Sequence, residues 1–362
     1  MIVQRVVMPV TDAVSWTVVH DGVAVEPVEK YLAYLAALER SPNTVRAYAL
    51  SLKFWFEFLA AVEIDWAAVG VEDVARFVSW LRAPAANVIV LDGGTARRSP
   101  ATVNRHLAAV FGFYEHHARA GIAVATDLVA RRRVGRGSYK PLLHHVTKGR
   151  PIPTRPLKMV VVRQLPRTLE AVQVVAVLAA CERARDRFLL SLLAETGMRV
   201  GQALGLRHTD FVSRTKEVHI VPRGDNANGA RAKLRSPAVV PVSAALVRLY
   251  SDYMHAEYGG VDSDYVFVNL WAGRIGRPMT YATVHDLVAR IRARTGVDFT
   301  LHMLRHTRAT ELIRSGMAIE VVARLLTHSS STTTSQTYVH LDVADIRDAL
   351  RRAGWDDQGT SR

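Results

Sequence analysis

Between Arg131 and Arg167 the chain carries eleven basic residues, five prolines and no acid. A helix interior does not tolerate prolines at that density, and like charges in one run repel unless something neutralises them. The stretch reads as an extended basic connection that divides the 362-residue chain in two. Length alone suggests the same division, at ~150 residues per domain. Phosphate contact accounts for one-signed charge better than a solvated tether does. The whole chain agrees in sign: Lys+Arg number 47 and Asp+Glu 33, a formal net charge of +14. Nucleic acid, an anionic membrane surface or acidic ligands are the candidate partners. The basic stretch lacks an amphipathic apolar face, which weighs against the membrane.

Hydrophobic residues make up 49% and charged residues 22%, a globular composition that excludes a wholly disordered chain. One cysteine, Cys181, excludes an intramolecular disulfide and a cysteine-based zinc site, and fits a reducing compartment. The opening MIVQRVVMPVTDAVSW has no long apolar core and is interrupted by Asp12, so no signal peptide is read. The longest apolar run, Val172 to Cys181, is too short for a bilayer. The expected location is the cytoplasm, nucleoid-associated if the partner is nucleic acid, with no membrane partner.

The first half reads as all-helical. Apolar spacing predicts helices over Glu26 to Leu38 and Val71 to Leu81. Ser41-Pro42-Asn43-Thr44 and Ser99-Pro100-Ala101-Thr102 are matching start signals, a serine N-cap before a proline at the first helical position. The helices they open run to about Ala60 and Arg119, the second ended by Gly121. Phe54, Trp55, Phe56 and Phe58 are expected in the core. The second half reads as mixed α and β, mostly helical. Helices are expected at Thr168 to Glu182, Arg185 to Glu195, Ser243 to Tyr258, Tyr281 to Arg294, Met303 to Ser315, Ala318 to Leu326 and Val343 to Ala353. The β-branched runs Glu217 to Pro222 and Ala238 to Val242 predict a hairpin with a long polar loop.

GxGxxG after a strand, GxxxxGK[ST], HExxH and GxSxG are all absent. What remains is a series of cations, histidines and one tyrosine: Thr196-Gly-Met-Arg199, Leu301-His302-Met-Leu-Arg305, Leu325-Leu-Thr-His328, and Thr334-Ser-Gln-Thr-Tyr338. Taken singly, Arg199 reads as a surface ion pair, His302 as a helix cap and Tyr338 as a core tyrosine. His302 and Arg305, three apart, share a helix face.

In this order and combination the residues resemble the tyrosine recombinase (phage integrase) family. Its pattern is an arginine in a TGxR turn, a hairpin lysine, an HxxR box, a histidine after paired leucines, and a tyrosine beyond. The resemblance covers about Thr168 to Ala353, and the helical first half is similar to the family's core-binding domain. It implies an all-α N-terminal core-binding domain plus a mixed α+β, mostly helical catalytic domain. The expected boundaries are 1–26 for an N-terminal extension, 27–130 core-binding, 131–167 linker, 168–355 catalytic and 356–362 tail. It implies catalytic roles for Arg199, Lys233, His302, Arg305 and His328, with Tyr338 as nucleophile. Lys233 follows from aligning the second strand on Pro241; Arg223 and Arg231 are the alternatives. Three departures stand out. Gln202 occupies a position often acidic, Thr327 replaces the usual glycine, and the gap from His328 to Tyr338 is one residue longer than common.

The implied reaction moves a DNA phosphodiester onto tyrosine and back. Two guanidiniums grip the phosphate, His302 is the candidate base, and Lys233, on a mobile hairpin, the candidate acid. The scheme requires no metal or nucleotide cofactor. The implied partner is double-stranded DNA, contacted by Arg131, Arg132, Arg133, Arg136, Lys140, Arg46 and Arg105, with a homotetramer forming on paired sites. Leu341, Ile346, Leu350 and Trp355 are expected to pack on their own domain or dock on a neighbour. The function expected is site-specific recombination of integrase or transposase type. The alternatives are a type IB-like topoisomerase and a non-catalytic DNA-binding protein of the same fold.

Overall fold

The computed structural model describes residues 1–7, 14–83, 98–125, 128, 131–132, 152–153, 157–161, 166–234 and 236–327. The chain divides into two units, Met1–Arg163 and Gln164–Arg362.

Unit 1 is built on four helices: α1 (Glu26–Ala37), α2 (Pro42–Ala61), α3 (Val71–Arg82) and α4 (Pro100–Arg119). The paired start signals work as their chemistry requires. Ser41 Oγ accepts from the Thr44 N–H at 3.2 Å, and Ser99 Oγ from the Thr102 N–H at 3.3 Å. Each satisfies a backbone donor that the first helical turn leaves unpaired. Trp55, Phe56 and Phe58 of α2 are buried as expected. Phe54 is partly buried, with the Arg98 guanidinium 4.5 Å above its ring. Trp55 donates to Tyr114 Oη at 3.2 Å, and Tyr114 donates to the Trp66 carbonyl at 2.8 Å, so the polar edges of these buried rings are satisfied.

The first 24 residues form part of this unit. β1 (Ile2–Val7), β2 (Val14–His20) and β3 (Val23–Ala24) make an antiparallel sheet in that order, with Val18 buried in the helical core. Asp21 and Gly22, both at positive φ (48° and 81°), make the β2–β3 turn. The basic stretch is also partly structured. β4 (Arg131–Arg132) pairs with β5 (Ile152–Pro153), and further along Asn104 exchanges hydrogen bonds of 2.9 and 2.8 Å with the Met159 backbone. Leu157 and Met159 pack on the unit 1 core, so this part of the expected linker is built into unit 1. The division after Arg163 falls within the interval expected at 131–167.

His106 gives unit 1 an expected acid sensitivity. Its ring is buried against Ser51 Oγ (3.0 Å), and desolvation, then Arg105 and Arg98, lowers its pKa from 6.5 to about 4. Between those values the unfolded chain binds the proton and the folded chain does not. Stability is therefore complete above about pH 6.5 and falls as the pH drops toward 4, by ~2–3 kcal/mol. Unfolding followed against pH should show this limb in wild type, and His106→Gln should remove its share, leaving that of His116 and His117, whose pKa values burial also lowers.

Unit 2 packs α5 (Ala171–Ala179), α6 (Ala184–Thr196), α7 (Val200–Ala203), α8 (Ala244–Tyr253), α9 (Tyr281–Thr295), α10 (Leu301–Arg314) and α11 (Ile319–Leu325) around a small sheet. β6 (Phe211–Val212), β7 (Glu217–Ile220) and β8 (Ala238–Pro241) are antiparallel, with Val218 opposite Val240. The expected hairpin is β7–β8; β6 is an added strand. Phe188, Leu189, Leu190, Leu192 and Leu193 are all buried, so α6 is the central helix. The Glu257 carboxylate, on a π-helical turn after α8, accepts from the Ala184 and Arg185 N–H groups at 2.9 Å each and caps α6. Among the described residues no helix is long and apolar enough to cross a membrane. The helix expected over Val343 to Ala353 lies outside them.

Candidate active site

Three chain reversals in unit 2 build one concave site. α6 ends at Gly197, whose left-handed φ of 63° turns the chain so that Arg199 becomes the N-cap of α7. Thr300 caps α10 through its Oγ1, and His302 and Arg305 follow in the first turns. α11 is followed by Leu326 and then Thr327, at φ 54°. A threonine in the left-handed region costs ~1–2 kcal/mol, which its surroundings must offset.

The resulting pocket has a volume of about 450 Å³. Arg199, Arg231, Lys233, Arg292 and Arg305 line it together with His302 and His285, and no carboxylate is among its lining residues. Such a cavity attracts an anion, although one of its cations, Arg292, is already paired with Asp298 outside the lining. Of the six residues expected to be catalytic, the structure brings Arg199, Lys233, His302 and Arg305 together around it. His328 and Tyr338 lie outside the described residues.

Arg305 is 2% exposed. Its Nη1 donates to the Gly197 carbonyl at 2.6 Å and its Nη2 to the Leu326 carbonyl at 2.7 Å, tying the ends of α6 and α11 to α10. Arg199 is half-buried. Its backbone N–H donates to Gln202 Oε1 at 2.7 Å, and its Nη1 lies 3.4 Å from both the carbonyl oxygen and Oγ1 of Thr327. Gln202 Nε2 donates to Thr327 Oγ1 at 2.8 Å.

The histidines are tuned by this charge. Desolvation, then Arg305, Arg199 and Lys233, lowers the pKa of His302. Its ring is therefore neutral near pH 7, the form able to accept a proton. His306 packs edge-on against it, 4.6 Å between ring centres, and is pushed down to about 4 by desolvation, His302 and Arg305.

The loop between β7 and β8 separates the three cations weighed for the hairpin position. Arg223 makes a two-pronged ion pair with Asp210, at 2.6 and 2.8 Å, and is not among the pocket-lining residues. Arg231 and Lys233 do line it. They alternate with Ala230 and Ala232, both buried, so the alanines face the core and the cations the pocket, with Lys233 itself at φ 54°. The loop expected to be mobile is tied down over this part. Asn228 donates to the carbonyls of Leu204 (3.0 Å) and Met279 (2.7 Å) and accepts from the Ala230 N–H (3.0 Å). Asn226 donates to the Ala230 carbonyl at 2.9 Å.

Sequence reasoning missed Tyr281, His285 and Arg292 as pocket residues. The available signal was that Tyr281 and His285 stand four apart on an expected helix and so share a face. Of the expected DNA contacts, Arg46 and Arg105 are exposed on α2 and α4, with the Arg46 guanidinium 4.8 Å from the Trp16 ring centre. Arg131 and Arg132 form β4. Arg133, Arg136 and Lys140 lie outside the described residues.

The model of the Phage integrase family matches residues 167–345, and that of the phage integrase N-terminal SAM-like domain matches residues 28–121. Transposase A from transposon Tn554 of Staphylococcus aureus (strain N315) is 41% identical over 330 residues, 91% of this chain and 91% of that protein. Tyrosine recombinase XerD of Mycobacterium leprae (strain TN) is 31% identical over 333 residues, covering 89% and 94%. The Tn1549 transposon integrase, solved with transposon right end DNA, superposes with a TM-score of 0.60 at 14% identity, over 91% of this chain and 99% of that one. A lambda integrase dimer bound to a COC′ core site gives 0.57 at 17% identity, over 93% and 96%. At these identities the two structures speak to the fold alone.

Proposed function

The chain belongs to the phage integrase family of tyrosine recombinases, enzymes that cleave DNA and transfer strands, and we propose that it does so through Tyr338 at the pocket around Arg199 and Arg305. The observation that carries this reading is the pocket itself, with four arginines, one lysine, a histidine held neutral and no carboxylate on its walls. A phosphodiester is an anion that repels nucleophiles. Guanidiniums beside it offset that charge and the further charge of the transition state.

In this scheme the Tyr338 oxygen attacks phosphorus and the bond to the 5′-oxygen breaks, leaving a 3′-phosphotyrosine. His302 takes the phenol proton and Lys233 supplies the proton to the leaving 5′-oxygen. His328 hydrogen-bonds the phosphate. The covalent intermediate keeps the energy of the phosphodiester, so a 5′-hydroxyl from a second strand reverses the step and completes exchange. Arg46, Arg105 and the basic stretch from Arg131 to Lys140 contact the duplex backbone, and four copies assemble on paired sites. The transposase likeness favours an element that moves between DNA sites, and hence recombinant products over relaxed circles alone.

The test is covalent capture on nicked duplex DNA, where the cleaved fragment diffuses away. Wild type is expected to give a denaturant-stable protein–DNA adduct and Tyr338→Phe none, a loss of ~10³-fold or more. Sequencing the captured DNA identifies the site, and native mass on paired sites reads the assembly. An adduct persisting in Tyr338→Phe would refute the assignment of the nucleophile.

A further inference from the structure

The two side chains by which this sequence departs from its family's pattern around the arginine, Gln202 and Thr327, lie 125 positions apart and are hydrogen-bonded to each other. Both are buried, at 2% and 6% exposure. We propose that Gln202 and Thr327 form a neutral latch that positions Arg199, each residue being serviceable only in the presence of the other. The proposal rests on the reading of Arg199 as a phosphate ligand.

The latch holds Arg199 at both ends. Gln202 Oε1 accepts from its backbone N–H and fixes the start of α7. Gln202 Nε2 reaches Thr327, whose Oγ1 and carbonyl both face the Arg199 Nη1. An amide uses both of its polar ends here, as acceptor toward Arg199 and donor toward Thr327. A carboxylate has no N–H to give.

Each departure taken alone is unfavourable. Thr327 sits in the left-handed region that a glycine would occupy without strain, at φ 54°. Glycine, however, has no hydroxyl, and the Gln202 amide would then lose its acceptor in a buried site. An acid at 202 would retain the bond to the Arg199 N–H, force the Thr327 hydroxyl to turn from acceptor to donor, and bring a charge into the interior. With acid and glycine together, neither the orphaned amide nor the strained threonine exists. The pair contributes position without charge.

The latch predicts non-additive substitution effects. Single-turnover cleavage of the captured nicked duplex and thermal unfolding are measured on the full chain for Gln202→Glu, Thr327→Gly and the double substitution. Each single change is expected to slow cleavage ~10-fold or more, and the double to recover most of that loss. Thr327→Val, which keeps the shape and removes the hydroxyl, should slow cleavage similarly, while Thr327→Ser retains it to within ~3-fold. DNA affinity should change less than the cleavage rate in all of them, because the latch orients a group already inside the pocket. Additive effects, or a coupling equal in unfolding and in cleavage, would overturn the latch as a positioning device. Arg199→Ala is the separate control. If it cleaves like wild type, the reading of Arg199 falls, whereas an inactive Arg199→Ala beside an additive cycle removes the latch alone.

Discussion

Arg305→Ala is expected to abolish strand cleavage and to lower the melting temperature of unit 2 by ~10 °C or more. The guanidinium is buried and donates to the Gly197 and Leu326 carbonyls, at the ends of two different helices. Alanine leaves both carbonyls without that donor in a dry interior, at ~1–3 kcal/mol each, beside the cavity it opens. It also removes a positive charge from the wall of an anion-binding pocket, where a single well-aimed donor is worth ~10²–10³ in rate. Arg305→Lys separates the two roles. The ammonium keeps the charge but cannot span two carbonyls with a planar fork, so cleavage should fall ~100-fold with a smaller loss of melting temperature. Single-turnover cleavage and a thermal melt read both. Wild-type cleavage by Arg305→Lys would show that the fork geometry is not used.

The second large effect is expected at Gly201. A Cβ at this position would overlap Tyr281 Oη and lie 2.7 Å from the Arg231 carbonyl oxygen. The tyrosine end can rotate away, but the carbonyl is backbone of the loop that carries Lys233. Gly201→Ala should therefore push α7, with Arg199 at its start, away from that loop. Overpacking of this kind costs ~1–3 kcal/mol of stability, and a misplacement of about 1 Å costs ~10²-fold in rate. Adding Tyr281→Phe removes the hydroxyl overlap and should recover part of the stability while leaving cleavage slow, because the carbonyl contact persists. Full cleavage by Gly201→Ala would mean that α7 and the loop are not held in register by this contact.

Much of the helical frame was legible because its signals are local. The serine–proline starts put α2 and α4 within a residue of their observed limits, and period-3.6 apolar spacing located α1, α3, α6 and α9. The N-terminal sheet was passed over although its Asp21-Gly22 turn, between Thr17–His20 and Val23–Ala24, is a hairpin signal. The short β6 offered too little periodicity to read. In the basic stretch, charge and proline pointed to an extended chain, but the docking of Leu157 and Met159 depends on Asn104, 55 positions from Met159.

At the site the division is similar. Taken singly, Arg199 read as a surface ion pair and His302 as a helix cap; residue types and their order along the chain singled out Arg199, His302 and Arg305 as candidates only through the family resemblance they carry. They left the hairpin cation open among Arg223, Arg231 and Lys233. The fold pairs Arg223 with Asp210, outside the pocket lining, and buried alanines alternate with Arg231 and Lys233, which line it. They also presented Gln202 and Thr327 as two unrelated departures. Local propensity and composition set the helices, the basic charge and the reactive groups of this chain, since each depends on neighbours within a few residues. Which charges face one another, and which neutral groups hold them, depends on contacts more than a hundred residues apart along the chain, and only the packed tertiary structure brings those together.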